Sequence, residues 1–243
     1  MRLTDDPRLS DRRVTEYFLL EKARREQNQG SPSAVPAVKP VITISREYGA
    51  GGRTVAGLVA RELGPPWQVW DRELIDAVAK SAQLRQDMVE ALDERTQTWL
   101  QRMTANLLNV RTTDPSFYRQ HLAQVLLALA QQGSKVIVGR GANFLLPDAL
   151  NVRLCASLEF RIRAIMKLED IDRDAAVRRI HRVDHERADF AREVFGRDAS
   201  QPQWYDLLIQ TDAIGFEGVC GAIVGAARAV FRDQLGTTPA HIR

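Results

Sequence analysis

Short runs of continuous apolar residues alternate along this chain with longer segments in which apolar positions recur every three or four residues. The clearest run, Val41-Ile42-Thr43-Ile44-Ser45, is β-branched at all but its last position. Comparable runs lie at Trp67–Trp70, Lys135–Val138, Val152–Cys155 and Leu207–Gln210, the pattern of strands covered on both faces. Helical periodicity occupies Thr54–Leu63, Arg72–Ser81, Ser116–Gln132, Leu158–Leu168, Arg173–Arg187 and Glu217–Arg232. Strands and helices in this alternation predict an α/β fold around a parallel sheet of five strands. Leu84–Val110 is helical in pattern but falls between the second and third strands, so it reads as an inserted helical subdomain.

Residues 1–40 stand apart from that alternation. Ser10 or Asp11 is placed to cap a helix running to about Gln27, with Val14, Tyr17 and Phe18 on one face. Asn28–Pro40 carries Gly30, Pro32, Pro36 and Pro40 and reads as an irregular linker. Docking on the core, dimerisation and loose attachment all remain open for this helix. The main domain is expected over 41–233, with a short tail over 234–243.

The first strand runs directly into Arg46-Glu47-Tyr48-Gly49-Ala50-Gly51-Gly52-Arg53-Thr54, and a helix follows at once. A strand, a glycine-rich turn and a helix N-terminus in that order can wrap backbone N–H groups around phosphate. Glycine permits sharp turning and close approach, and the helix dipole favours the anion. The residues expected to hold the phosphates are Gly49, Ala50, Gly51, Gly52, Arg53 and Thr54, and the Thr54 hydroxyl can reach Mg²⁺ directly or through water. The usual pattern, G-x-x-x-x-G-K-[ST], has a lysine that is absent here. Two registers are open. If Gly52-Arg53-Thr54 stands for G-K-T, Arg53 supplies the cation and Glu47 takes the first glycine position. If Gly49-Ala50-Gly51 stands for a G-x-G loop, Gly52 sits where lysine is expected.

Composition changes this picture little. The 243 residues are 44% hydrophobic and carry a net charge of +3, which suits one α/β domain with insertions. So small an excess does not argue for nucleic acid, and no aromatic stacking pattern accompanies it. Lysine is sparse, limited to Lys22, Lys39, Lys80, Lys135 and Lys167, so most basic residues are arginines. Cys155 and Cys220 have no C-x-x-C partner and read as reduced core cysteines of a cytoplasmic protein. His181 and His185 are four apart, but surrounding arginines disfavour a cation site. Neither a long apolar span nor a signal-peptide pattern is evident, so no membrane partner is expected.

Three blocks together resemble the cytidylate kinase-like branch of the nucleoside monophosphate kinases, over roughly residues 41–232. They are Ile44–Arg53; Val136-Ile137-Val138-Gly139-Arg140-Gly141 with Leu146–Ala149 and Val152–Ala156; and the arginine-rich helix through Asp184-His185-Glu186-Arg187, followed by Tyr205–Ile209. The resemblance implies a P-loop kinase three-layer fold, a helical insertion that binds the nucleoside monophosphate, and a helical lid over 166–200. It also implies ATP and Mg²⁺ as cofactors and CMP or dCMP as the acceptor. By that resemblance Arg140 matches an arginine contacting the substrate phosphate. Asp184 and Arg187 match a lid pair holding its ribose and phosphate. The family's acidic positions beside Arg140 are Val138 and Gly141 in this chain. Asp71, directly after the second strand, reads both as a helix N-cap and as a substrate contact, and the two are compatible. Arg178, Arg179 and Arg182 form either a solvated helix face or lid groups closing over the transferring phosphoryl group. Arg161 and Arg163 precede them and can contribute.

An acceptor phosphate is already anionic near neutral pH and needs no side-chain base, so catalysis reduces to alignment and charge neutralisation. Arg53 or Arg46, together with the lid residues Arg182 and Arg187 and Mg²⁺, is expected to replace the lysine. A nucleotide-binding sensor that has lost catalysis is the second reading, and an arginine-based nucleic-acid binder the third. The sequence leaves the oligomeric state open, a homodimer included.

Overall fold

The computed structural model describes residues 39–90, 92, 96–97 and 115–235. The expected N-terminal helix and most of its linker, much of the 84–110 insertion and the 234–243 tail lie largely outside them. Five strands form one sheet: β1 (Val41–Arg46), β2 (Gln68–Trp70), β3 (Lys135–Val138), β4 (Leu150–Cys155) and β5 (Leu207–Gln210). Their order is β2-β3-β1-β4-β5, and every neighbouring pair is parallel. The parallel five-stranded α/β sheet expected from the apolar runs is therefore present.

The chain separates into two compact units. The first, residues 39–70 with 134–243, holds the whole sheet. Ile42, Ile44, Val136, Val152 and Leu154 are fully buried or nearly so in its core. Onto them pack Val55, Ala56 and Val59 of helix α1 (Gly52–Leu63) and residues of a long C-terminal helix, Thr211–Val230. That helix is long and apolar enough to cross a membrane by length and composition alone. Its Val219, Cys220, Ile223, Val224 and Ala227 are nonetheless buried in the sheet core. It starts earlier than Glu217, the position periodicity suggests, because a break at Gly215 (φ 70°) joins two helical pieces.

One buried polar network ties β1 to β4. Thr43 donates from Oγ1 to Asn151 Oδ1 at 2.6 Å, while Asn151 Nδ2 donates to the carbonyls of Leu146 and Ala149. Lys135 is fully buried and donates from Nζ to Gln68 Oε1 at 3.0 Å. It opens β3, paired with Val41, so it sits at the amino edge of the sheet and does not supply the ammonium missing from the glycine turn. Both cysteines are free thiols, and burial pushes each above its ordinary pKa.

The second unit, in its described part, is helical: α2 (Arg72–Lys80) and α3 (Ala82–Glu90) contact α4 (Pro115–Gln132). Asp71 begins it as the N-cap of α2, its Oδ1 accepting from the Leu74 amide at 3.1 Å. Tyr118 donates to Asp76 at 2.9 Å and ties α4 to α2.

After β4 come α6 (Leu158–Glu169) and α7 (Arg173–Phe195), with α5 being the short turn of helix Ala142–Leu145. Helix α7 continues two turns beyond Arg187, where the sequence reading stops it. Nothing between Ala188 and Phe195 breaks a helix, and Gly196 in the left-handed region caps its end. Ile162, Ile165, Ala176 and Ile180 form a separate apolar cluster between α6 and α7, with Tyr48 packed against it.

Candidate active site

Strand β1 connects to β2 on one side of itself, whereas β3 connects to β4 across it on the other. The carboxyl ends of β1 and β3 thus flank the point where the winding changes direction, the usual place for a ligand in an open parallel sheet. Arg46 ends β1 there, and Gly139-Arg140-Gly141 follows β3.

The glycine turn has the backbone its sequence calls for. Gly49 and Gly51 take φ values of 87° and 81°, and Gly51 is the left-handed N-cap of α1. The first amides of α1 have no carbonyl of their own helix to bond, which leaves this end suited to an anion. Ala50 is fully buried; its amide donates to the Glu47 carbonyl at 3.2 Å, and its own carbonyl accepts from the buried Thr211 hydroxyl at 3.0 Å. A Cβ on Gly51 would stand 2.2 Å from Cε1 of Phe216, which backs the turn. Arg53 and Thr54 lie exposed on the first turn of α1.

Arg46 turns back over this loop. A Cβ on Gly52 would be 2.8 Å from Arg46 Cγ, and one on Gly139 only 2.3 Å from its Nη1. Both glycines are therefore required for the guanidinium to cross from β1 to the turn after β3. In that second turn Gly139, Arg140 and Gly141 all have positive φ, at 83°, 54° and 64°. Left-handed conformation at a non-glycine residue is uncommon and clusters at functional sites. The Arg140 guanidinium lies 4.9 Å from the Phe190 ring centroid, and Gly141 sits against the Phe195 ring.

Helix α7 reaches the turn with three residues. Asp184 Oδ1 accepts from the Tyr48 amide at 2.7 Å, and its Oδ2 meets Arg161 Nη1 at 2.5 Å. Arg187 donates from Nη1 to the Arg46 carbonyl at 2.9 Å and lies 5.2 Å from the Tyr48 ring centroid. Arg179 pairs with Glu169 at 3.2 Å, and Glu169 accepts a hydrogen bond from the Tyr48 phenol. Burial and the Glu169 carboxylate hold that phenol above its ordinary pKa. Arg182 is 62% exposed with Glu186 at 3.9 Å, and Arg178 is exposed as well.

Arg46, Asp184 and Arg187 are thus brought to one strand end, with Arg140 on the neighbouring turn. Glu47 and Tyr48 are structural participants that the motif reading passed over. Glu47 Oε2 accepts from the Ala156 amide at 3.0 Å and lies 3.6 Å from Arg161 Nε. A carboxylate standing where a glycine belongs in the first register was the available signal for its different role. Among the described residues no group of three His, Cys, Asp or Glu side chains is placed to hold a metal. An ion carried by ATP phosphates needs few protein ligands, and the exposed Thr54 hydroxyl suits such a role.

The fold is that of an α/β protein whose parallel five-stranded sheet runs from its central strand through a glycine turn into a helix. Residues 41–213 match the cytidylate kinase-like family, and the chain belongs to it. A cytidylate kinase of Methanocaldococcus jannaschii is 32% identical over 104 residues, covering 40% of this chain and 58% of that protein. The chain thus spans little more than half the length of that curated relative. An uncharacterised protein from Eubacterium ventriosum has a similar structure, with a TM-score of 0.62 at 20% identity over 79% of this chain and 99% of its own. A shikimate kinase from Bacteroides thetaiotaomicron, at 16% identity over 81% of this chain and 99% of its own, has a TM-score of 0.41, too loose a likeness to bear on function.

Proposed function

We propose that this protein transfers the γ-phosphoryl group of ATP to a nucleoside monophosphate, CMP or dCMP, giving the diphosphate. The observation that carries the reading is Arg46, whose stem packs on Gly52 of the turn that lacks the lysine and whose guanidinium lies against Gly139. Membership of a cytidylate kinase-like family supports the nucleotide kinase class.

In this reading the amides from Gly49 to Thr54 bind the ATP polyphosphate, and Thr54 contributes to the Mg²⁺ site. Mg²⁺, when bound, neutralises charge on the bridging phosphates. Arg46 supplies the cation of the absent lysine, with Arg53 beside it on the helix. Residues 166–200 act as the lid, bringing Arg187 and Arg182 over the reacting phosphates. Arg140 and Asp184 contact the acceptor. The acceptor oxygen is anionic at neutral pH, so no side chain has to remove a proton. Each guanidinium serves to align and neutralise. A cytoplasmic location accords with this activity.

The second reading is a nucleotide sensor without turnover. The absent lysine, with Val138 and Gly141 in place of acids beside Arg140, favours it. A coupled assay of ADP release with CMP, dCMP, UMP and AMP separates the two, alongside the melting temperature with and without ATP–Mg²⁺. Turnover with CMP or dCMP supports the kinase. A rise in Tm without turnover on any acceptor selects the sensor, and neither response ends both.

A further inference from the structure

We propose that Arg161 is a positioning residue for phosphoryl transfer, setting the phosphate loop against the lid helix. The inference rests on the kinase reading but is drawn from contacts that reading does not use.

Arg161 lies on α6, and its side chain is only 12% exposed. It meets the loop and α7 together. Nε lies 3.6 Å from Glu47 Oε2, Nη1 lies 3.5 Å from the Tyr48 carbonyl, and the same Nη1 meets Asp184 Oδ2 at 2.5 Å. Its backbone also fixes the loop sterically, because a Cβ on Gly49 would be 3.0 Å from both the Arg161 carbonyl oxygen and its Cβ.

The two carboxylates held by Arg161 hold the loop in their turn. Glu47 binds the Ala156 amide at the end of β4, and Asp184 binds the Tyr48 amide. One planar guanidinium therefore links two acids that each also take a backbone N–H, Asp184 on its other oxygen and Glu47 on the same Oε2. A lysine ammonium is a point charge on a flexible stem and cannot reproduce that fork geometry. The arrangement anchors the loop at Glu47 and Tyr48, upstream of the glycines. It also sets where Arg187 arrives, since Arg187 is one turn from Asp184 and reaches Arg46 in the same assembly.

The expected consequence is a loss in rate more than in affinity. Misplacing reacting groups by about an ångström can cost about 100-fold in rate. Arg161→Lys and Arg161→Met should therefore lower kcat by about 10- to 100-fold while the KM for ATP changes less than about threefold. Amide hydrogen exchange supplies the readout that does not need turnover. The Tyr48 amide should exchange about tenfold faster or more in both variants, while Ile42 and Ile44 in β1 keep their protection. Wild-type exchange at Tyr48 in both variants overturns the proposal, whether or not the protein proves to be a kinase. Equal loss of protection at Tyr48 and in β1 overturns it too, because Arg161 would then be a general stabiliser. An inactive wild-type protein counts against the kinase reading and with it the rate arm, and the exchange result then decides whether Arg161 anchors the loop. In an active protein, faster exchange with unchanged kcat removes the catalytic claim.

Discussion

Arg46 and Gly139 are in contact across neighbouring strands: the Arg46 guanidinium occupies the space a Cβ on residue 139 would need, 2.3 Å from Nη1. Gly139→Ala should therefore push the guanidinium away and also strain a backbone held at φ 83°. The backbone term costs about 1–2 kcal/mol. Turnover should fall at least about tenfold as the cation moves off its position. A coupled ADP-release assay beside a thermal melt checks both, and wild-type turnover would mean that catalysis does not use this position of Arg46.

Arg46→Ala and Arg53→Ala should differ. Arg46 crosses the loop, whereas Arg53 is exposed on the first turn of α1. Loss of a preorganised charge-stabilising donor costs about 100- to 1000-fold in kcat, and that is the expectation for Arg46→Ala. For Arg53→Ala, with its charge screened by solvent, less than about tenfold is expected. Unchanged turnover in both variants would end the idea that a guanidinium replaces the lysine.

The Tyr48 phenol provides a pH signature. Burial first, and then the neighbouring Glu169 carboxylate, raise its pKa above the ordinary value of 10.0. The folded state binds this proton more tightly than the unfolded state. The stability it contributes is therefore complete below pH 10.0 and is lost as pH rises through the higher folded-state value. Tyr48→Phe should flatten that alkaline decline. Melting temperatures of both proteins across the alkaline range provide the comparison, and parallel curves would assign the decline to other groups.

Asn151 is a stability position away from the glycine turn. Its side chain accepts from Thr43 and donates to the carbonyls of Leu146 and Ala149, all in a buried setting. Asn151→Ala leaves those groups unsatisfied and should cost about 3 kcal/mol. Denaturant unfolding measures the loss, and the KM for ATP should be unaffected.

Much of the architecture is legible in local pattern. Val41-Ile42-Thr43-Ile44 and Lys135-Val136-Ile137-Val138 are short and dense in β-branched residues, and both are central strands of the sheet. Boundaries held where punctuation is strong, as at Gly64 after α1. They slipped where a motif was allowed to end an element, as at Arg187 in the middle of α7. The glycine turn was legible because only glycine serves at Gly51, where positive φ and a packed Phe216 coincide.

The residues around that turn were legible in kind more than in partnership. Arg178, Arg179, Arg182 and Arg187 look alike in a helical run. Helical phase against Ile180 and Val183 sends Arg187 and Arg179 to Tyr48 and leaves Arg182 beside Glu186. Glu47 stands more than a hundred residues before Arg161 and Asp184, which are themselves 23 apart, and no local spacing links the three.

Sequence alone determined the parallel sheet, the glycine-rich turn and the absence of a lysine from it, because these depend on local backbone preference and residue identity. Tertiary structure alone decided where the Arg46 guanidinium lies and which acids brace the turn. Those choices follow from strand order and helix phase, which bring Arg46 to Gly139 and Arg161 between Glu47 and Asp184. Long-range packing sets such meetings, and periodicity along the chain does not encode them.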